Sequence, residues 1–231
     1  MFPVQTRVIF NPRLKCFYDT LERKRLKGAA KLLAKTFWPT YSFRRAPQTP
    51  RLAPGVSARQ GRARGSRVDR EVAAVARGER LRSPHPFTLY ALEALRRCAL
   101  HLVGAQVVVY EGTVATAVDI LATDASGTYT CIELKCSSDS RYTSACGPMR
   151  GVLSGRTDAL SEQHAVQCQV LPRLPNSTDT DPCAQVTRLL FERTYGINAN
   201  ACILRINESG ATVSRLPRSQ DAARALGVIV G

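Results

Sequence analysis

Several features that identify common classes of protein are missing from this sequence. No apolar run approaches the ~18 residues of a membrane-spanning helix, and the N-terminus does not show the pattern of a secretory signal. The eight cysteines include no Cys-x-x-Cys pair, which argues against a zinc ribbon. We therefore predict no membrane partner, and free thiols in a reducing, intracellular compartment.

Acidic residues are scarce at the front of the chain. Residues 1–80 hold 19 lysines and arginines against 5 acidic residues, whereas residues 81–231 hold 14 against 13. The net charge of +15 is therefore concentrated at the front. Such asymmetry is typical of proteins that bind nucleic acid or another anionic surface. A basic tail that only improves solubility is the alternative.

The composition divides the chain into two parts. Prolines recur between residues 39 and 64 among arginines and glycines, which predicts a flexible basic linker; they are Pro39, Pro47, Pro50 and Pro54. We predict a basic, partly flexible N-terminal extension over residues 1–64 and a folded domain over residues 65–231.

The extension contains one predicted amphipathic basic helix, because apolar residues recur there at helical spacing; they are Leu26, Ala30, Leu33 and Phe37. Such a helix would bind nucleic acid, act as a nuclear address or an organelle transit segment, or pack on the core. No serine precedes Ser42, which disfavours the transit segment. A nuclear location is thus favoured over a mitochondrial one.

Periodicity predicts most elements of the folded domain. Helices are expected over residues 65–77, 87–103, 157–171, 184–195 and 219–226, and strands over residues 105–110, 114–121, 128–136, 199–206 and 211–216. The strands over residues 114–121 and 128–136 flank Asp124–Gly127, whose residue types favour a tight turn. They form an antiparallel hairpin.

Three charged residues face one another across this hairpin. Strand alternation places Glu133 and Lys135 on one face, and Asp119 lies in the middle of the partner strand, where a short polar residue disfavours β structure. Two carboxylates suit a hard divalent cation, and a neighbouring ammonium suits a water or a phosphate. The hairpin is therefore the candidate site.

Asp119, followed after thirteen residues by Glu133-Leu134-Lys135, resembles the active-site signature of the PD-(D/E)XK nuclease superfamily, although Val118 stands where the family has proline. The resemblance implies an α/β fold with a restriction-endonuclease-like core, in which a central mixed sheet is flanked by helices. It also implies Mg²⁺, with Mn²⁺ as a substitute, held by Asp119, Glu133 and the Leu134 backbone carbonyl. Lys135 would be catalytic beside these two acids.

The predicted helix over residues 65–77 resembles the one that precedes the catalytic hairpin in the RecB-like and lambda-exonuclease-like branch. Asp69 stands where that branch has histidine. The resemblance makes Asp69 and Glu71 further candidates for the metal, and Arg67 a candidate contact to nucleic acid. The alternative is a solvated helix face on which these acids pair with Arg67 and Arg70.

The predicted helix over residues 157–171 places Gln163 and Gln167 on one face, since they are four residues apart. The segment is similar to the glutamine motif of the RecB-like branch, although Leu171 replaces its tyrosine. The resemblance implies a catalytic role for Gln167 and a nucleic-acid contact for Gln163. Surface amides without a role are the alternative.

Ser137 and Arg141 follow Lys135 closely in the sequence. A hydroxyl and a guanidinium at this point are suited to binding phosphates. A polar loop without a role is the alternative reading.

The resemblance points to a Mg²⁺-dependent deoxyribonuclease, and to an exonuclease of DNA replication, recombination or repair in particular. DNA is the expected partner, and a homo-oligomer is left open. No iron–sulfur cluster is expected, because the terminal cysteine grouping of cluster-bearing relatives is missing. One alternative is a non-catalytic DNA-binding or packaging protein that uses the fold as a platform. Another is an unrelated α/β binding module with a surface ion pair at Glu133 and Lys135.

Overall fold

The computed structural model describes residues 2, 5–12, 14–37, 58–136, 150–154, 183–218 and 220–231. The strands among them are β1 Val8–Asn11, β2 Cys16–Asp19, β3 Lys24–Gly28, β4 His101–Glu111, β5 Val114–Thr123, β6 Tyr129–Cys136, β7 Ala199–Asn207 and β8 Gly210–Leu216. The helices are α1 Ala29–Phe37, α2 Ala58–Ala76, α3 Pro86–Arg97, α4 Cys183–Tyr195 and α5 Gln220–Val230, with a short 3₁₀ helix at Gly151–Leu153.

The eight described strands form one mixed sheet. Its order is β1-β2-β3-β5-β6-β7-β8, and β4 pairs separately with β5. The β3–β5 and β6–β7 pairs are parallel, and the other pairs are antiparallel. The expectation of an α/β protein with a central mixed sheet flanked by helices is confirmed.

Helices cover both faces of the sheet, because its central strands send apolar side chains to each side. On one face, α1, α4 and α5 pack with Val118 of β5 and Cys131 of β6. On the other face, α2 and α3 pack with Ile120 of β5 and Ile132 of β6. Two apolar clusters therefore hold β5 and β6 in the middle layer.

The predicted hairpin is confirmed as β5 and β6. Asp124 closes its turn by accepting hydrogen bonds from the amides of Ser126 at 2.9 Å and Thr128 at 3.0 Å. Gly127 adopts a φ of +79°, which glycine tolerates better than other residues. This local chemistry is why the turn is predictable from the sequence.

The helix predicted over residues 87–103 is shorter than expected. It ends at Arg97, and His101 opens strand β4. Ala99 ends the helix with a φ of +52°, and the amide of Leu100 bonds back to the carbonyl of Leu95 at 3.0 Å. This hydrogen bond is typical of a Schellman cap. The residue with positive φ in such a cap, here Ala99, is usually glycine.

The N-terminal part of the chain requires a correction. Residues 8–28, predicted as part of a basic extension, form β1–β3 and continue the main sheet, because β3 pairs with Val114 and Ala115 of β5. The predicted amphipathic helix is α1, and its Leu33 and Phe37 lie in the core. The apolar face of this helix therefore packs on the core, as one of the alternatives expects. The helix predicted over residues 65–77 begins earlier, at Ala58.

Two further findings concern the described residues only. None of their helices combines the length and the apolar character needed to span a bilayer. Five cysteines are free thiols, namely Cys16, Cys98, Cys131, Cys136 and Cys202.

Candidate active site

Strand β5 changes neighbour along its length, and this creates an opening in the sheet. β4 pairs with one edge of β5 from Val114 to Thr123. On the other edge, β3 pairs with Val114 and Ala115, and β6 pairs with residues 120–123. Residues 116–119 of β5 therefore face the opening between β3 and β6.

Asp119 lies at the border of this opening. Ile120 pairs with Ile132, so the next step of the same register would set Asp119 opposite Glu133. Instead, the backbone amide of Leu134 donates to Oδ2 of Asp119 at 3.0 Å. Because β5 and β6 separate at this point, the amide would otherwise lack a hydrogen-bond partner on β5. Because the N–H and C=O of one strand residue point to the same edge, the carbonyl of Leu134 also faces the opening.

Glu133 and Lys135 lie on the same face of β6, as strand alternation predicts. Lys135 Nζ is 2.6 Å from Glu133 Oε1, and the two side chains are 20% and 18% exposed. Ile132 and Leu134, which alternate with them, are buried on the opposite face. The ion pair is therefore shielded by protein but still open to solvent.

A cavity of about 100 Å³ adjoins the opening. It is lined by Ala29 and Ala30 of α1, Thr116, Ala117 and Asp119 of β5, Glu133 of β6 and Thr187 of α4. Among the described residues of its lining, the acidic ones are Asp119 and Glu133. This volume admits a few waters but is well below the roughly 300–1,000 Å³ of a small-molecule pocket.

Burial and a neighbouring like charge shift the pKa of Asp119. Burial, followed by the charge of Glu133, raises the pKa of Asp119 to about 8 from its usual 3.8, although the charge of Lys135 and the amide of Leu134 oppose this rise. The carboxyl is thus costly to ionise unless positive charge is brought to it.

Asp69 belongs to the same electrostatic group. It lies half-buried on α2, and burial is the main cause that raises its pKa to about 6. The charge of Lys135 opposes this rise, and that of Glu133 adds to it. Asp69 is not among the residues that line the cavity, so it is linked to the site through its charge.

The acids of the cavity are the donors that the site offers to a divalent ion. In the part of the chain that the structure describes, no three His, Cys, Asp or Glu side chains are grouped so that they could hold a metal together. Asp119 and Glu133 nevertheless line one cavity, and Mg²⁺ commonly uses one or two carboxylates and keeps several waters. A cation would also favour the ionised form of Asp119, whose pKa is raised by burial and by the charge of Glu133. These residues fit Mg²⁺ held by two carboxylates and water.

Glu71 and Arg67 lie in the junction between α2 and α3. Glu71 Oε2 accepts from the amide of His85 at 2.7 Å and from the hydroxyl of Thr88 at 2.6 Å. Its Oε1 is 2.6 Å from Arg67 Nε, and Arg67 also donates to the carbonyl of Ser83 at 2.9 Å. Both side chains therefore anchor the start of α3, and the structure does not bring Glu71 to the cavity.

Four predicted site residues lie outside the described residues. They are the proposed catalytic Gln167 and the proposed nucleic-acid contacts Ser137, Arg141 and Gln163.

Gln106 is a member of the site that sequence reasoning missed. Its Nε2 donates to Asp119 Oδ1 at 3.3 Å, and its backbone has a φ of +53°. Its neighbours Ala105 and Val107 pair with Ile120 and Val118, so Gln106 stands opposite Asp119. Pairing of β4 with β5 would have pointed to this position, but the left-handed backbone has no sequence signal.

Comparison with known proteins adds no relative. No protein-family model matches the sequence, and no curated protein matches it significantly.

Proposed function

We propose that this protein is a divalent-metal-dependent nuclease that hydrolyses DNA phosphodiester bonds. The observation that carries the proposal is the meeting of Asp119, Glu133 and Lys135 where β5 and β6 part, with both acids lining one small cavity. The similarity of these residues to the PD-(D/E)XK signature supports it. An exonuclease of DNA replication, recombination or repair is the more specific form of the proposal.

Asp119 and Glu133 would hold the metal, with the carbonyl of Leu134 as an additional oxygen donor. When bound, the metal would supply a water of lowered pKa and stabilise the negative charge that develops on the phosphate. The backbone amide of Leu134 and the side-chain amide of Gln106 both donate to the carboxylate of Asp119 and fix it in one orientation. The site residues are therefore held in place before a substrate arrives.

Lys135 would act directly on the substrate. Its ion pair with Glu133 holds the ammonium next to the cavity, where it would donate to a phosphate oxygen or orient the attacking water. An ammonium at this place stabilises an anionic transition state because the surrounding protein weakens screening by solvent. Asp69 would adjust the local charge from α2.

The size of the cavity favours a polymeric substrate. A space of about 100 Å³ accommodates an ion, waters and phosphate oxygens but is too small to enclose a nucleotide. A phosphodiester chain lying across the opening presents its phosphate without requiring a base pocket. The positive charge of residues 1–80 would attract such a chain.

Labelled linear and circular DNA, each incubated with the full chain in Mg²⁺, Mn²⁺ or EDTA, test the proposal. We expect cutting with either metal and none in EDTA, and an exonuclease would spare the circle. Asp119→Asn, Glu133→Gln and Lys135→Ala should each slow cutting by about 100-fold or more while DNA binding persists. Glu93→Gln, which removes an exposed acid of α3, is the matched control and should cut normally. Equal cutting by all four variants would refute the site.

The second candidate is a DNA-binding platform without catalysis. The observation that favours it is that no three metal-ligating side chains are grouped among the described residues. Binding of DNA by the wild-type protein, with no cutting in either metal on either substrate, would establish this candidate.

A further inference from the structure

Three exposed lysines flank the segment that lines the cavity. Ala29 and Ala30 form one wall of the cavity. Lys27 precedes them at the end of β3, Lys31 follows them on α1, and Lys35 lies one helical turn further on. All three side chains are exposed, so a row of positive charge leads along α1 from the cavity.

The charge of these lysines is not neutralised by the described part of the protein. Helix α1 contains no acidic residue, and no described acid forms an ion pair with Lys27, Lys31 or Lys35. By contrast, Lys24 pairs with Glu22 and Lys135 pairs with Glu133. As far as the described residues are concerned, the row is thus available to an external anion.

Packing decides which kind of anion suits the row. A basic amphipathic helix binds a membrane surface by burying its apolar face among the lipids. The apolar face of α1 is already used, since Leu33 and Phe37 are 0% and 1% exposed. Only the lysine face remains, and ammonium groups without an apolar anchor suit the phosphates of a nucleic acid.

We propose that Lys27, Lys31 and Lys35 form a track that binds the DNA backbone and leads it to the cavity. This inference rests on the proposed function, because it takes the cavity as the place where the phosphate is cut. Contacts of this kind position the strand without reading its sequence. Each phosphate contact that is lost should reduce the slope of log affinity against log salt by about 0.9 for duplex DNA, or about 0.7 for a single strand.

The test measures binding of fluorescein-labelled DNA by anisotropy, in EDTA, across a salt series. The variant carries Lys27→Gln, Lys31→Gln and Lys35→Gln in the full chain. The control carries Arg80→Gln, Arg82→Gln and Arg215→Gln, which remove the same charge from exposed residues outside the cavity wall. We expect the lysine variant to lose about 2 to 3 units of salt slope and at least tenfold in affinity, and the control to lose far less.

Equal losses in the two variants would overturn the track, because they would show an effect of net charge alone. Unchanged DNA binding by the lysine variant would also overturn the track. If that variant still cut DNA normally in the assay with Mg²⁺, the proposed function would survive the loss of the track. Conversely, a wild-type protein that binds DNA through these lysines but does not cut it would refute the nuclease and retain the track. Lysine-dependent binding to phosphatidylserine vesicles without binding to DNA would overturn the track as well.

Discussion

At the scale of single residues, the acids near the cavity are held in an unfavourable state. Asp119 and Asp69 both have raised pKa values, chiefly because of burial, and Glu133 adds like charge to each. A folded protein tolerates such a cost when the arrangement serves a purpose other than stability, and functional sites commonly show it. The metal-free protein should therefore show the cost in its pH dependence.

Stability without metal should fall as the pH rises from 5 to 8. In that range folded Asp119, with its pKa near 8, keeps a proton that the unfolded chain has released, and a rising pH then weakens the folded state. Asp69, with its pKa near 6, likewise makes the folded state less stable as the pH rises to about 6. Acids with lowered pKa values, such as Asp19 and Glu93, lose their stabilising effect only at more acid pH.

Asp119→Asn should remove most of this slope. The side-chain oxygen of asparagine still accepts from the Leu134 amide. Its NH₂ group takes the place of the oxygen that accepts from Gln106, so the change removes the charge together with this longer contact. At pH 8 in EDTA we expect the free energy of unfolding, measured with urea, to exceed that of the wild type by at least about 1 kcal/mol, because each unit by which the folded pKa of Asp119 exceeds its unfolded value is worth about 1.4 kcal/mol. The difference should shrink toward pH 5. If the free energy of unfolding changed with pH in parallel for the two proteins, the pKa of Asp119 would not be raised in the folded state.

At the scale of elements, strand β4 is distorted opposite the site. Gln106 has a φ of +53° between two regularly paired neighbours. Backbone of this kind costs a non-glycine residue roughly 1–2 kcal/mol, and such strain is concentrated at functional positions. In this strained conformation, the side-chain amide of Gln106 donates a hydrogen bond to Asp119.

Two substitutions of Gln106 separate the strain from the contact. Gln106→Gly and Gln106→Ala both remove the amide, so we expect similar losses of cutting, about two- to tenfold, in the assay with Mg²⁺. The glycine variant should be about 1 kcal/mol more stable to urea than the alanine variant, because glycine adopts a positive φ without strain. The reverse order of stability would show that this backbone is not left-handed.

The elements also show what sequence can and cannot predict here. The β5–β6 hairpin and the alternation of Glu133 with Lys135 follow from turn residues and a two-residue period, and both were predictable. The end of α3 was not, because Ala99 occupies a capping position where glycine is the usual signal. The meeting of Gln106 with Asp119 depends on pairing between strands and on an unusual dihedral, which no local pattern records.

At the scale of the whole molecule, the N-terminal residues belong to the folded protein and help to build the site. Charge alone suggested an extension, because β3 exposes Lys24, Arg25 and Lys27 and buries only Leu26. Its place in the sheet comes from parallel pairing with Val114 and Ala115, more than 80 positions away. Long-range pairing of this kind leaves no periodic pattern in the sequence. The same segment supplies Ala29 and Ala30 to the cavity.

A matched pair of leucine substitutions tests this integration. Leu33 is 0% exposed in the core, whereas Leu21 of the same N-terminal segment is 73% exposed. We expect Leu33→Ala to lower the free energy of unfolding by about 2–5 kcal/mol, since it leaves a cavity among packed side chains. Leu21→Ala should change it by no more than about 0.5 kcal/mol. Urea unfolding followed by circular dichroism measures both. If Leu33→Ala were as neutral as Leu21→Ala, α1 would not be packed on the core, and the cavity and the lysine track would both lose the wall on which they depend.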